Sequence, residues 1–137
     1  MANGTTFKAD ISSWVSQVGD QMDALARQVC QEAAQRVVLN TPVDTGFLRG
    51  SWQPSIGSSP SRSDDGVDIG LVLSGMRAGE SFWMTNNAVY AMRVEFGFVG
   101  EDSLGRYYNQ PGRFYVTNTV ARWEQIVADT AKDLGIA

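Results

Sequence analysis

The sequence predicts an α+β domain, with a long N-terminal helix and a C-terminal helix packed on one face of a small, mostly antiparallel sheet. Three observations lead there. Apolar residues recur at steps of three and four near both ends of the chain, and they alternate with polar ones in the middle. The composition, 43% hydrophobic and 19% charged over 137 residues, is that of one globular core, so residues 1–137 are expected to form a single domain. By area scaling a chain of this mass exposes ~7,000 Å² folded against ~21,600 Å² unfolded, and roughly 68% of its surface can be hidden without a disulfide or a metal. No cofactor is therefore expected.

Residues 1–9 are polar and read as a flexible N-terminus. From Ile11 the apolar positions Ile11, Val15, Val18, Met22, Leu25, Val29, Ala33 and Val37 keep one stripe on a helix over 11–39, about 43 Å long. Asp23 with Arg27 and Glu32 with Arg36 are i,i+4 pairs in the favourable acid-first order. Gly19 is the weak point of the helix, costing about 1 kcal/mol relative to alanine. Cys30, beside the stripe, reads as a small half-buried apolar side chain. Asn40 can adopt a left-handed cap and Pro42 forbids continuation. Pro42, Asp44, Thr45 and Gly46 then form a structural turn: Pro42 fixes φ, Asp44 or Thr45 bonds nearby amides, and Gly46 permits a positive φ.

The period now changes to two. Leu48, Trp52 and Ile56 alternate with polar residues in a strand that Pro54 assigns to a sheet edge. Residues 57–66, rich in Ser, Pro and Asp, read as a projecting loop. Val67, Ile69, Leu71 and Leu73 alternate in a second strand, and residues 75–80 turn the chain into a third strand near 81–86. Residues 88–96 read as a short helical or irregular segment. Residues 97–110 contain glycines and aromatics without periodicity and read as an aromatic docking loop. Pro111-Gly112 opens the last helix, with Val116, Val120, Trp123, Val127 and Leu134 as its stripe and Ile126 widening it.

The absence of histidine excludes His-based triads, His-ligated zinc and imidazole switches, and a single cysteine excludes a disulfide framework within one chain. Fifteen acidic against 11 basic residues give −4, the wrong sign for binding nucleic acid by phosphate neutralisation. No apolar run approaches a membrane span and no leader is evident, so the chain is expected to stay in the cytoplasm where it is made. No nucleophile elbow, P-loop or dinucleotide fingerprint occurs. Asp64, Asp65 and Asp68 read as solvated turn acids rather than a cation site. A hydrolytic carboxylate pair such as Asp44 and Glu95 would have to lie within ~5 to 10 Å across a cleft. Arginine is used far more than lysine, and with four Trp and four Tyr it points to a protein interface.

Three segments stand in order: Thr-Pro-Val-Asp-Thr-Gly-Phe-Leu-Arg-Gly-Ser-Trp at 41–52 after the long helix, Tyr-Ala-Met-Arg-Val-Glu-Phe-Gly at 90–97, and Gln-Pro-Gly-Arg-Phe at 110–114 before the last helix. In order and spacing they resemble the tail-completion, or head-tail joining, family of long-tailed bacteriophages, over residues 11–134. Gly112 and Arg113 before Phe114, and the aromatic 97–110 segment, depart from that pattern. The resemblance implies a virion structural protein, assembled in the host cytoplasm into an oligomeric ring, a hexamer, in the neck. Its implied partners are further copies of itself, the head connector or stopper protein, and the tail terminator or tail tube protein. DNA would pass through the lumen without specific binding; no membrane and no catalysis are implied. The alternative within this class is the tail terminator ring. Outside it stand a small carboxylate-dependent hydrolase and a cytoplasmic dimeric binding module.

Candidate interface residues are Arg49 and Trp52 in the first segment, Tyr90, Arg93 and Glu95 in the second, Phe98, Tyr107 and Tyr108 in the aromatic loop, and Arg113 in the third. An intrachain Arg93–Glu95 salt bridge, and aromatic rings folded back on the protomer, are equally open at this point.

Overall fold

The protein is described by a computed structural model over residues 4–43, 47–59 and 68–136. It is an α+β fold with a long N-terminal helix, two small antiparallel sheets and C-terminal helices. Helix α1 spans Gly4–Asn40. It begins before the apolar periodicity does, so residues 4–9 are helical rather than a flexible lead. Its 37 residues reach about 56 Å, longer than the sphere of about 37 Å that a compact chain of this length fills, and among the described side chains none before Val29 is buried. The burial follows. Val29, Cys30, Ala34 and Val37 are buried, but Ile11, Trp14, Val15 and Met22 are exposed. The single stripe seen in the sequence is therefore covered only along its second half.

Of the two expected ion pairs on α1, Glu32–Arg36 forms, at 3.0 Å. Asp23 and Arg27 instead clamp the turn after Leu73: Ala78 N donates to Asp23 Oδ1 at 2.9 Å, and Arg27 Nε donates to the Met76 carbonyl. Two bonds to fixed backbone outcompete one exposed pair. The end of α1 also differs from expectation. Asn40 stays right-handed, Phe114 being the one non-glycine at positive φ among the described residues. The last carbonyls are closed by side chains: Thr41 Oγ1 donates to Val37 O at 2.6 Å, and Arg49 Nη2 to Leu39 O at 2.8 Å and Thr41 O at 3.0 Å. Helix α2, Phe47–Gly50, is the single turn that brings Arg49 there. Asp44, Thr45 and Gly46 of the expected turn lie outside the described residues, while Pro42 is half-buried.

Strand β1, Trp52–Ile56, pairs antiparallel with β2, Phe82–Asn86, with Pro54 opposite Met84. In a two-stranded sheet every strand is an edge, which is why Pro54 is tolerated. Alternation in β1 is imperfect, since Gln53 and Pro54 are buried and Trp52 only half-buried. The projecting loop lies, beyond Ser59, outside the described residues. The expected second strand is helix α3, Ile69–Leu73. Asp68 caps it by accepting from Leu71 N at 3.1 Å. A strand would have aligned Ile69, Leu71 and Leu73 on one face. The helix joins Ile69 to Leu73, which is 1% exposed, and turns Leu71 to solvent.

Helix α4, Ala91–Phe96, runs directly into β3, Gly97–Glu101, which pairs antiparallel with β4, Tyr107–Pro111. The segment read as an aperiodic loop is thus a hairpin with internal pairing, and the one sheet expected is two two-stranded sheets. The C-terminal helix begins at Tyr115, not Pro111, and breaks once: α5 is Tyr115–Ala121 and α6 is Trp123–Asp133. A Schellman motif ends α6, with Gly135 at φ 72, Gly135 N bonded to Lys132 O and Ile136 N to Ala131 O. Both helices pack on α1. Their buried side is Tyr115, Thr119, Ile126, Thr130 and Ala131, with Ile126 at 0% exposure. Val120, Trp123 and Leu134 of the expected stripe stay exposed. Thr119 can be buried because its hydroxyl returns a bond to Tyr115 O at 2.9 Å. Two core clusters line α1: Cys30, Leu73 and Met76 with Ile56 and Phe82, and Val37, Leu48 and Tyr115 with Trp52 and Val94.

Candidate functional site

The chain crosses itself where α4 ends. Arg113 N donates to Val94 O at 2.9 Å and Phe114 N to Glu95 O at 3.0 Å. A Cβ at Gly97, whose φ is +87°, would stand 2.7 Å from Gln110 O, and one at Gly112 only 2.6 Å from Glu95 O. Glycine at both positions lets residues 95–97 lie against 110–112. The Glu95 side chain completes the crossing. It is buried and accepts from Val116 N at 3.0 Å, Thr117 N at 2.8 Å and Thr117 Oγ1 at 2.7 Å. Phe114, the residue at the cap of α5, sits at φ 52 and offers no side-chain bond, so Glu95 supplies the negative charge and acceptors that the helix start needs.

Three expected interface residues have partners within the chain. Among the described residues Glu95 forms no ion pair with Arg93, its carboxylate being bonded to α5, and Asp44 lies outside the described residues. Arg49 is occupied at the end of α1. Trp52 points inward, donating from Nε1 to Thr41 Oγ1 at 2.8 Å and meeting the Tyr115 ring edge-on at 6.2 Å.

Tyr90, Arg93, Phe98, Tyr108 and Arg113 converge on one open groove of about 710 Å³, which Pro42 and Leu48 also line. Segments 41–52, 90–97 and 110–114, far apart in sequence, therefore meet at one place. The Arg93 guanidinium lies 4.0 Å from the Phe98 ring centre, and Phe98 stacks obliquely on Tyr108 at 6.2 Å. Asp102 organises the hairpin turn. It accepts from Leu104 N and Arg106 N, both at 2.9 Å, from Arg106 Nε at 2.6 Å and from Tyr108 OH at 3.1 Å. The Arg106 amide, aided by the guanidinium and the other donors, holds the Asp102 carboxyl below the usual aspartate value. Tyr107 points out, 66% exposed.

A second, polar cleft of about 660 Å³ runs between the end of α1 and α5, where Arg36, Arg113 and Arg122 meet Asn40 and Asn118. Arg113 lines both hollows. Sequence reasoning missed Asp102, Gly97, Gly112 and Thr117. For Asp102 a signal existed, since Asp102-Ser-Leu-Gly105 has the spacing of a tight turn.

Elsewhere the chemistry is quiet. Burial pushes the Cys30 thiol up, away from the reactive thiolate. Burial, then the Glu95 charge, raises Tyr115, whose phenol donates to Ala91 O at 3.1 Å. Among the described residues no group of three His, Cys, Asp or Glu could hold a metal. Asp68 is a helix cap, and Asp64 and Asp65 lie outside those residues. No helix among them is long and apolar enough to cross a membrane. The groove thus offers stacked rings and guanidinium donors on an open face, the equipment for gripping a protein segment. Compared with known family models, curated proteins and solved structures, the chain has no match in any of the three.

Proposed function

We propose that this protein is a virion structural component of a tailed phage, a ring of identical subunits, six by the resemblance, in the neck between the DNA-filled head and the tail. The observation that carries the reading is the groove: the three segments on which the resemblance rests meet there, with Tyr90, Arg93, Phe98, Tyr108 and Arg113 on its walls. On this reading it grips a segment of the adjoining connector, stopper, terminator or tail tube protein, and the neck conducts DNA without a chemical step. Rings and planar guanidinium groups suit that role, because rings bury large area at small entropic cost and guanidinium groups donate to backbone carbonyls or carboxylates. Cryo-electron microscopy of intact particles tests it. The chain should fit a ring of density between connector and tail tube; particles whose neck contains no such density would sink the proposal.

A further inference from the structure

We infer that the exposed N-terminal half of α1 is an arm that seats on the α5–α6 face of a second copy of this chain. Two apolar faces on one protomer lack an intrachain cover. On the arm, exposed Ile11, Val15 and Met22 with half-buried Val18 follow steps of four, three and four, the spacing of a helix-packing seam, and Trp14, 65% exposed, widens it. On α6, Trp123, Val127 and the following Leu134 lie within about 40° of one another on the helical wheel, and Val120 on α5, before the break at Arg122, is exposed as well. Of these only Val127 is as much as half-buried. The arm seam is about 18 Å long and the α6 face from Trp123 to Leu134 about 18 Å, so one fits the other.

The occupant follows from geometry and area. α1 is one uninterrupted helix, so its arm cannot fold back onto its own α6. Pairing arm with arm would leave the α5–α6 face bare, whereas arm on α5–α6 covers both faces with a single kind of contact. The chain exposes 9542 Å², about 2,500 Å² above the ~7,000 Å² expected for its mass. A standard interface hides about 800 Å² per partner, so an arm and a receiving face on each copy fall within that surplus. Such a contact is head-to-tail, and head-to-tail contacts close rings when the rotation permits. The inference supplies a lateral contact for a ring but stands on the chain's own surfaces, wherever that ring sits.

Two variants of the full chain test it by light scattering: Ile11→Gln with Val15→Gln on the arm, and Val120→Gln with Trp123→Gln on the receiving face. All four positions are exposed, so far-UV circular dichroism should keep its helical signal. Trp14→Gln or Val120→Gln alone, read in the same way, replaces a double variant whose signal falls. At roughly 100 µM the wild type should have a mass several times 14.9 kDa, and each variant alone should fall to 14.9 kDa. An equal mixture should recover a species of roughly twice the chain mass, because the intact arm of one variant enters the intact face of the other. A wild type that stays at 14.9 kDa, a receiving-face variant that keeps the wild-type mass, or a mixture that does not associate would each overturn it. Variants that retain wild-type mass, with the protein still found in the neck, would remove the arm contact and leave the proposed function standing.

Discussion

Glu95 concentrates more structural consequence than any other side chain of the groove region. Removing its buried carboxylate leaves two amides of α5 and the Thr117 hydroxyl, at half-buried Val116 and exposed Thr117, without their acceptor. Glu95→Ala should therefore cost about 2 to 4 kcal/mol, a fall of roughly 7 to 14 °C in the thermal midpoint. Glu95→Gln keeps one acceptor oxygen and should lose less than half as much. Equal midpoints for wild type and Glu95→Ala in a calorimetric scan would refute the cap. Asp102 gives a pH signature. Its carboxyl is lowered in the fold relative to 3.8, so its stabilising contribution is complete above pH 3.8 and is lost as pH falls through the lower folded value. The hairpin's Tyr107 and Tyr108 signals should stay unchanged by NMR from pH 7 to about 4 and shift only below that. Asp102→Asn should flatten the response.

Backbone crossings and helix lengths decide what each element can tolerate. Gly97 and Gly112 are hemmed by backbone, and Gly97 is in addition left-handed, so alanine at either should cost more than about 2 kcal/mol. Gly19, on the exposed first half of α1 with nothing within 4 Å, should behave oppositely: Gly19→Ala is expected to add about 0.5 to 1 kcal/mol of helix stability. Urea unfolding of the three variants checks both signs. These glycines also show how much was legible beforehand. Periodicity located α1, β1 and the C-terminal helical region, although Leu48 of the expected first strand lies in α2 and Val120, Trp123 and Leu134 of the expected stripe stay exposed. Residues 88–96, open in the sequence between helix and irregular structure, contain α4. Periodicity failed at α3, where Ile69, Leu71 and Leu73 fit a strand and a helix equally until the Asp68 cap is known. It failed at 97–110, where glycines and aromatics hide a hairpin held by one aspartate. At the groove, Tyr90, Arg93, Phe98, Tyr108 and Arg113 could be nominated from residue type. Glu95, Arg49 and Trp52 could not be recognised as internal, because their partners are backbone atoms 8 to 22 residues away and two hydroxyls.

On the scale of the whole molecule, the balance of charge bears on DNA. The formal charge is −4, and five of the nine arginines are already engaged within the chain: Arg27 at Met76 O, Arg36 at Glu32, Arg49 at the end of α1, Arg93 over Phe98 and Arg106 at Asp102. The cations that meet in the polar cleft, Arg36, Arg113 and Arg122, could neutralise few phosphates, and each neutralised phosphate steepens the dependence of log K on log salt by only about 0.9. Six copies would carry about −24 formal charges, so a ring wall of this composition repels a passing duplex rather than retaining it. The isolated protein should accordingly show no retardation of duplex DNA at physiological salt, and at low salt a weak binding whose salt slope does not exceed about −3. Arg113→Ala with Arg122→Ala should abolish even that residue of affinity while leaving the thermal midpoint within about 2 °C, since neither guanidinium caps a helix or fills the core. Tight binding at physiological salt with a slope steeper than about −6 would require a continuous basic track, and the chain would then have to be read as a DNA-binding protein rather than a conduit.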